Sequence, residues 1–160
     1  MRDPIRSQFD IFLSLITVTT IIFTDRISKL YFSKILTVGE SFPVIRNAVH
    51  MTLVHNTGMA FGLFKNQGIV FIIIPIIAVV LLIFNIYNYR NNEEELSRVY
   101  IVAFSLILGG AIGNLIDRIY FGYVIDFIDL RVWPVFNIAD SAITIGATII
   151  LFKCIPLSAK

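Results

Sequence analysis

Hydrophobic residues gather in long blocks along this chain. Four of them, roughly 10 to 31, 68 to 89, 98 to 118 and 136 to 155, reach the approximately 20 residues that a helix needs to cross a bilayer. The second block is free of charge through its core. The other three each carry charge near one end: Asp25 in the first, Asp117 with Arg118 in the third, and Asp140 in the fourth. Between the first and second blocks the pattern changes. In "VHMTLVHN", Val49, Met51 and Leu53 alternate with His50 and Thr52, the two-residue period of a strand with one apolar face. Residues 33 to 67 are therefore expected to form a small β-sheet on the membrane surface. The stretch "YRNNEEELSRVY", 89 to 100, reads as a solvated polar loop. Residues 119 to 135, "IYFGYVIDFIDLRVWPV", are too short and too interrupted to span. Their aromatics suit lipid-headgroup depth, so an interfacial loop or short helix is expected there.

Composition strengthens this picture. With 57% hydrophobic and 15% charged residues and a mean hydropathy of +0.83, the chain falls among integral membrane proteins. The expected fold is an all-α polytopic membrane protein, a single domain over residues 1 to 160. It has four transmembrane helices, a small extramembrane β-sheet and a short interfacial loop or helix. The N-terminus imitates a signal peptide, since Arg2 and Arg6 precede an apolar run from Ile11 to Phe23. The run leads into "TDRISK" and not into a small-residue cleavage site, so a retained first helix is expected. A net charge of +2 without a basic stripe interleaved with aromatics gives no case for nucleic acid. The single Cys154 permits neither an internal disulfide nor a cysteine-based zinc cluster.

Topology makes the blocks informative. With four spans, the ends of helices one and three and the start of helix four emerge on one side, together with segments 33 to 67 and 119 to 135. Asp25, Lys29, Asn56, Asn114, Asp117, Arg118, Asp126, Asn137 and Asp140 then all lie near one membrane face. A carboxylate carried into hydrocarbon costs at least about 2.5 kcal/mol on insertion scales, so polar groups gathered at one depth point to a built site. Charge counting does not orient it: six Lys and Arg fall on the opposite side (Arg2, Arg6, Arg90, Arg98, Lys153, Lys160) against seven on the site side.

Spacing sorts the candidates. Asp25 and Lys29 stand four residues apart and can neutralise one another at a helix end, a structural role. Gly110, Asn114, Asp117 and Arg118 share a helix face, and Gly109, Gly110 and Gly113 admit another backbone closely. That face can serve helix packing, or can also supply hydrogen bonds to a neighbouring active centre. Asp129 has Arg131 beside it. Asp126 and Asp140 have no cation three or four residues away on their own elements, and Asp140 shares a face with Asn137 and Thr144. If Asp126 and Asp140 meet, they cannot both ionise cheaply and must share a proton. That is aspartic-protease chemistry: one carboxylate takes a proton from a water, and the other, protonated, polarises the scissile carbonyl. The same residues can instead be helix caps, since "FNIAD" suits a helix N-terminus. Spacing leaves both open.

Other chemistries fit less well. Ser141 lacks a GxSxG elbow, His50 and His55 sit in the expected surface sheet, and no ligand spacing for a metal is present. A small proton-coupled transporter would also hold intramembrane aspartates, but polar groups at one end only leave no path across, and no repeated broken-helix pair is seen.

Five blocks in order carry a resemblance: "DRISK" at 25 to 29, "NTGMAFG" at 56 to 62, "GGAIGNLIDR" at 109 to 118, "VIDFIDL" at 124 to 130 and "FNIADS" at 136 to 141. Together they cover nearly the whole chain, and it resembles the bacterial lipoprotein signal peptidases, also called type II signal peptidases. The resemblance implies an aspartyl endopeptidase of the bacterial inner (cytoplasmic) membrane, with both termini cytoplasmic and the site near the periplasmic or outer face. It implies Asp126 and Asp140 as the catalytic pair. Asn56, Asn114, Arg118 and Asn137 match positions that shape the site, with Asp25, Lys29 and Asp117 in support. The implied substrate is a prolipoprotein whose cysteine already carries diacylglycerol, cut just before that cysteine, and globomycin-like peptides are the implied inhibitors. No cofactor or metal is expected, and a monomer is. The chain departs from the family pattern at Arg26, where Gln usually follows the aspartate.

Overall fold

The computed structural model describes residues 4–58 and 98–154, with four isolated helical positions at 73, 76, 77 and 80. Helix α1, Pro4–Ile35, is 32 residues long. At 1.5 Å per residue it extends about 48 Å, longer than a hydrocarbon core of about 30 Å. Helix continues to residue 35, where the sequence pattern predicts sheet from 33.

Two antiparallel strands come next, β1 (Ser41–Ile45) and β2 (Val49–Asn56). The turn between them places Asn47 at φ 63°, a left-handed conformation that Asn tolerates better than most residues. The alternation in β2 is realised in part: Leu53 and Met51 pack with Leu36, Phe32, Ile125 and Tyr123, so the apolar face of the strand sits on the C-terminal end of α1.

Helix α2, Arg98–Phe121, ends at Gly122, whose φ of 78° and hydrogen bond to the Arg118 carbonyl (3.0 Å) form a left-handed cap. The chain then enters β3, Val124–Asp129. This corrects the expected interfacial loop or short helix over 119 to 135. The segment contributes the last turn of α2 and a strand that completes an antiparallel sheet of order β1-β2-β3. Strand β3 is concealed in the sequence because Asp126 and Asp129 interrupt its apolar pattern. Both carboxylates are buried and hydrogen-bonded, which removes the objection to having them there. Past Arg131 (φ 64°) the chain doubles back, and Phe136 exchanges backbone hydrogen bonds with Ile128 at 2.8 and 3.0 Å. That return delivers the chain to α3, Ile138–Cys154.

Helix α2 lies between α1 and α3 because its small residues permit close approach. A Cβ on Gly110 would meet the Ala139 carbonyl, and one on Gly113 would lie 2.9 Å from the Asp25 carboxylate. Among the described residues, α1 from Gln8 and α2 are long and apolar enough to cross a membrane. Helix α3 has 17 described residues. Apart from the four isolated positions, the expected span at 68 to 89 lies outside the described residues, as do residues 59 to 67 and the loop before Arg98. The outer face of α1 bears Phe12, Leu15 and Phe23, each more than 60% exposed, a surface suited to lipid.

Candidate active site

The start of α3 organises the site. Asn137 is its N-cap: its Oδ1 accepts the Asp140 N–H at 2.9 Å, and Asp140 Oδ2 accepts the Asn137 N–H at 3.3 Å, a reciprocal capping box. The capping role that "FNIAD" suggests is thus present. It also ties Asp140 to the residue whose side chain binds Asp126 of β3, so cap and carboxylate pair are one arrangement.

Asn137 joins the two aspartates. Its side-chain Nδ2 donates to Asp126 Oδ1 at 2.7 Å and to Asn114 Oδ1 at 3.0 Å, with the Ile125 carbonyl at 3.3 Å sharing the same amide. Asn56 at the end of β2 donates to the other Asp126 oxygen at 2.9 Å. Asn114 of α2 donates to Asp140 Oδ1 at 2.8 Å. Among the described residues neither aspartate is in an ion pair; amides hold both. The Arg118 guanidinium, bonded to the Asn114 carbonyl at 3.3 Å, interacts electrostatically with Asp140, Asp126 and Asp117.

Behind the amides lies a charged cluster. The wholly buried Lys29 reaches Asp25 Oδ2 at 2.7 Å, Asp117 Oδ2 at 2.9 Å and Asn114 Oδ1 at 3.1 Å. Asn114 Oδ1 thus faces two donors, Lys29 and Asn137, and this fixes its amide so that Nδ2 must turn to Asp140. Asp25 Oδ1 accepts the Ala139 N–H of α3 at 2.9 Å, and Asp117 Oδ2 accepts the Ile125 N–H at 3.1 Å. Each buried carboxylate therefore anchors the backbone residue just before one member of the pair.

The environments of the β3 carboxylates differ. Burial first, and then the neighbouring Asp140, push Asp126 up to about 7, against the opposing hydrogen bonds of Asn56 and Asn137 and the charge of Lys29. Burial also works upward on Asp129, but hydrogen bonds from Thr52 and Arg131 outweigh it and hold that carboxyl low. Asp129 is thus a latch within the sheet, bonded to Thr52 at 2.7 Å and Arg131 at 3.2 Å. The raised Asp126 value links folding to pH. Native protein binds this proton more tightly than the unfolded chain, whose value is 3.8. The resulting stability is complete below about 4 and is lost as pH rises through about 7, at about 1.4 kcal/mol for each pH unit between. The thermal midpoint in detergent should therefore fall between those limits, and Asp126→Asn should remove that part of the slope. Parallel profiles for the two proteins would mean that no such proton is bound.

All nine residues singled out from the sequence meet here. Asp126, Asp140, Asn56, Asn114, Asn137, Asp25, Lys29 and Asp117 form one hydrogen-bonded network, with Arg118 at its side. Three further participants join them: the backbone N–H groups of Ile125 and Ala139, which the sequence does not mark, and Arg26, noted there only as a departure from the family pattern, which pairs with Asp117 at 2.8 Å. Among the described residues no three His, Cys, Asp or Glu side chains are grouped to hold a metal ion.

The family model for signal peptidase (SPase) II matches residues 17–156. The chain belongs to the signal peptidase II family. It is similar to the lipoprotein signal peptidase of Halothermothrix orenii, at 42% identity over 85% of this chain and 90% of the relative. It is similar to that of Moorella thermoacetica at 45% identity over 81% and 83%. Two solved bacterial membrane enzymes, determined by the in meso method at 2.3 and 1.9 Å resolution, each superpose with a TM-score of 0.79 at 30% and 32% identity. They cover 92% and 91% of this chain and 94% of their own. This signal peptidase II is accordingly a membrane protein and a hydrolase, classed with the aspartic-type proteases.

Proposed function

We propose that this signal peptidase II removes the signal peptide from prolipoproteins by cutting just before a diacylglyceryl-modified cysteine, with Asp126 and Asp140 as the catalytic pair. One observation carries the proposal: two carboxylates from separate elements converge on Asn137, held by amides and without ion pairs of their own among the described residues. Amide donors fix the position of a carboxylate without committing it to full charge, so one proton can be shared near neutral pH. One aspartate then takes a proton from a water between them while its protonated neighbour polarises the scissile carbonyl. Asn56, Asn114 and Asn137 hold the pair, Arg118 adds positive charge beside it, and Asp25, Lys29 and Asp117 support it from behind.

The substrate class is suggested by the surroundings of the pair. The network lies where α1 and α2 approach the surface sheet, so the acyl chains of a lipid-modified cysteine can stay in the bilayer while the peptide bond reaches the carboxylates. Binding energy from the lipid, remote from the reacting bond, then positions that bond. On this reading the enzyme sits in the inner (cytoplasmic) membrane with cytoplasmic termini and the site near the periplasmic face. The test uses full-length protein in detergent with a diacylglyceryl-modified precursor. The expected result is a single cut before the cysteine, unaffected by chelators and blocked by a globomycin-like peptide. Cutting elsewhere, or equal cutting of the unmodified precursor, would overturn it.

A further inference from the structure

Four charged side chains stand directly behind the aspartate pair, and their balance depends on Arg26. Lys29 lies between Asp25 and Asp117, at 2.7 and 2.9 Å, so by itself it leaves one of these two negative charges uncompensated. Arg26 supplies the second positive charge through its 2.8 Å contact with Asp117 Oδ1. The guanidinium is held there by the Phe121 ring, 5.1 Å from its centroid, at the end of α2. Asp25, Asp117, Lys29 and Arg26 thus sum to zero formal charge.

We propose that Arg26 sets the pH range over which the enzyme works, by cancelling the charge of Asp117 behind Asp126 and Asp140; this rests on the catalytic reading of that pair. The cluster reaches both aspartates through short connections. Asp117 binds the N–H of Ile125, next to Asp126, and Lys29 binds the Asn114 amide that donates to Asp140. Few other described charges face the pair. From α2 there is Arg118. On β3, Asp129 is engaged with Arg131 and Thr52. Strand β2 offers the neutral Asn56, with His55 stacked on Tyr123, and α3 offers only Asp140 itself.

Without Arg26 the cluster carries a net negative charge, which favours protonated aspartates. A pair that needs one ionised carboxylate then starts to work at higher pH. With the damping expected for a partly exposed arginine that acts through a neighbouring residue, the acid limb of kcat/KM should move up by about half a pH unit. Arg26 is a positioning residue in an electrostatic sense: it acts through Asp117 and touches neither aspartate of the pair.

The experiment measures pH profiles of precursor cleavage for three variants. Arg26→Gln keeps a donor for Asp117 but loses the charge, and its acid limb should rise by about half a unit. Arg26→Lys keeps the charge and should retain the wild-type limb. Arg26→Gln combined with Asp117→Asn removes both charges, and should return the limb to the wild-type position. This third protein keeps the test decisive if the uncompensated single variant does not fold. An unmoved limb in Arg26→Gln, or a double variant displaced upward, would refute the charge role. So would equal displacement of the Gln and Lys variants, which would mark Arg26 as a steric clamp. These outcomes leave the catalytic pair untouched, because that reading fails only if a protein lacking one of its carboxyls still cuts.

Discussion

Asp126→Asn and Asp140→Asn should each lower cleavage of a lipid-modified precursor by at least about a thousandfold while leaving folded, membrane-inserted protein. Asn preserves size and one acceptor oxygen but can neither take a proton from water nor share one with the partner. Both variants should also lose stability, because the donors to each carboxylate are fixed in orientation. Asp126 receives hydrogen bonds from the side-chain amides of Asn56 and Asn137. Both amides are held in place, because the Asn56 Oδ1 accepts the Gly58 N–H at 3.0 Å and the Asn137 Oδ1 accepts the Asp140 N–H at 2.9 Å. Asp140 receives one bond from the main-chain N–H of Asn137, which cannot turn, and one from Asn114, whose orientation is fixed by Lys29. Either change to Asn therefore sets donor against donor, and each should cost about 1–3 kcal/mol. Cleavage assays and thermal midpoints in detergent measure both effects. Near wild-type turnover by either variant would falsify the pair, and an undiminished midpoint in either would refute the account of its donors.

Legibility in the sequence tracks the range of each interaction. The blocks at 10 to 31, 98 to 118 and 136 to 155 correspond to helices, since burial in lipid leaves its mark on contiguous residues. The Asp25–Lys29 pair is visible because it lies within about one helix turn. Asp126 and Asp140 stand out for lacking local counterions, and the structure accounts for that with amide donors from β2, α2 and the α3 cap. Strand β3 is illegible because its partner β2 comes much earlier in the chain, so that Asp126 pairs with Val54, and nothing near residue 126 records a strand edge waiting there. The link between Arg26 and Asp117 spans 91 positions and is hidden for the same reason. Cap and carboxylate pair cannot be separated in "FNIAD" because Asn137 and Asp140 cap α3 while Asn137 also binds Asp126.

Lys29→Met should be among the most destabilising single substitutions in the protein. Lys29 is fully buried and is the direct partner of Asp25 and the second partner of Asp117. Removing one member of a buried charge pair costs about 3–5 kcal/mol, chiefly because the other charge stays behind without solvent. A second substitution, Asp25→Asn, should restore much of the loss. The amide oxygen it introduces can still accept the Ala139 N–H, and Asp117 retains Arg26 and the Ile125 N–H. The double variant is therefore expected to melt above Lys29→Met, a coupling that independent sites would not give. Its activity per folded molecule should stay within about tenfold of wild type, because Asn114 keeps Asn137 as a donor to its Oδ1 and so still turns its NH2 toward Asp140. Additive losses in the double variant would mean that Lys29 acts through packing. A dead but stable double variant would mean that the amine itself sets the geometry of Asp140.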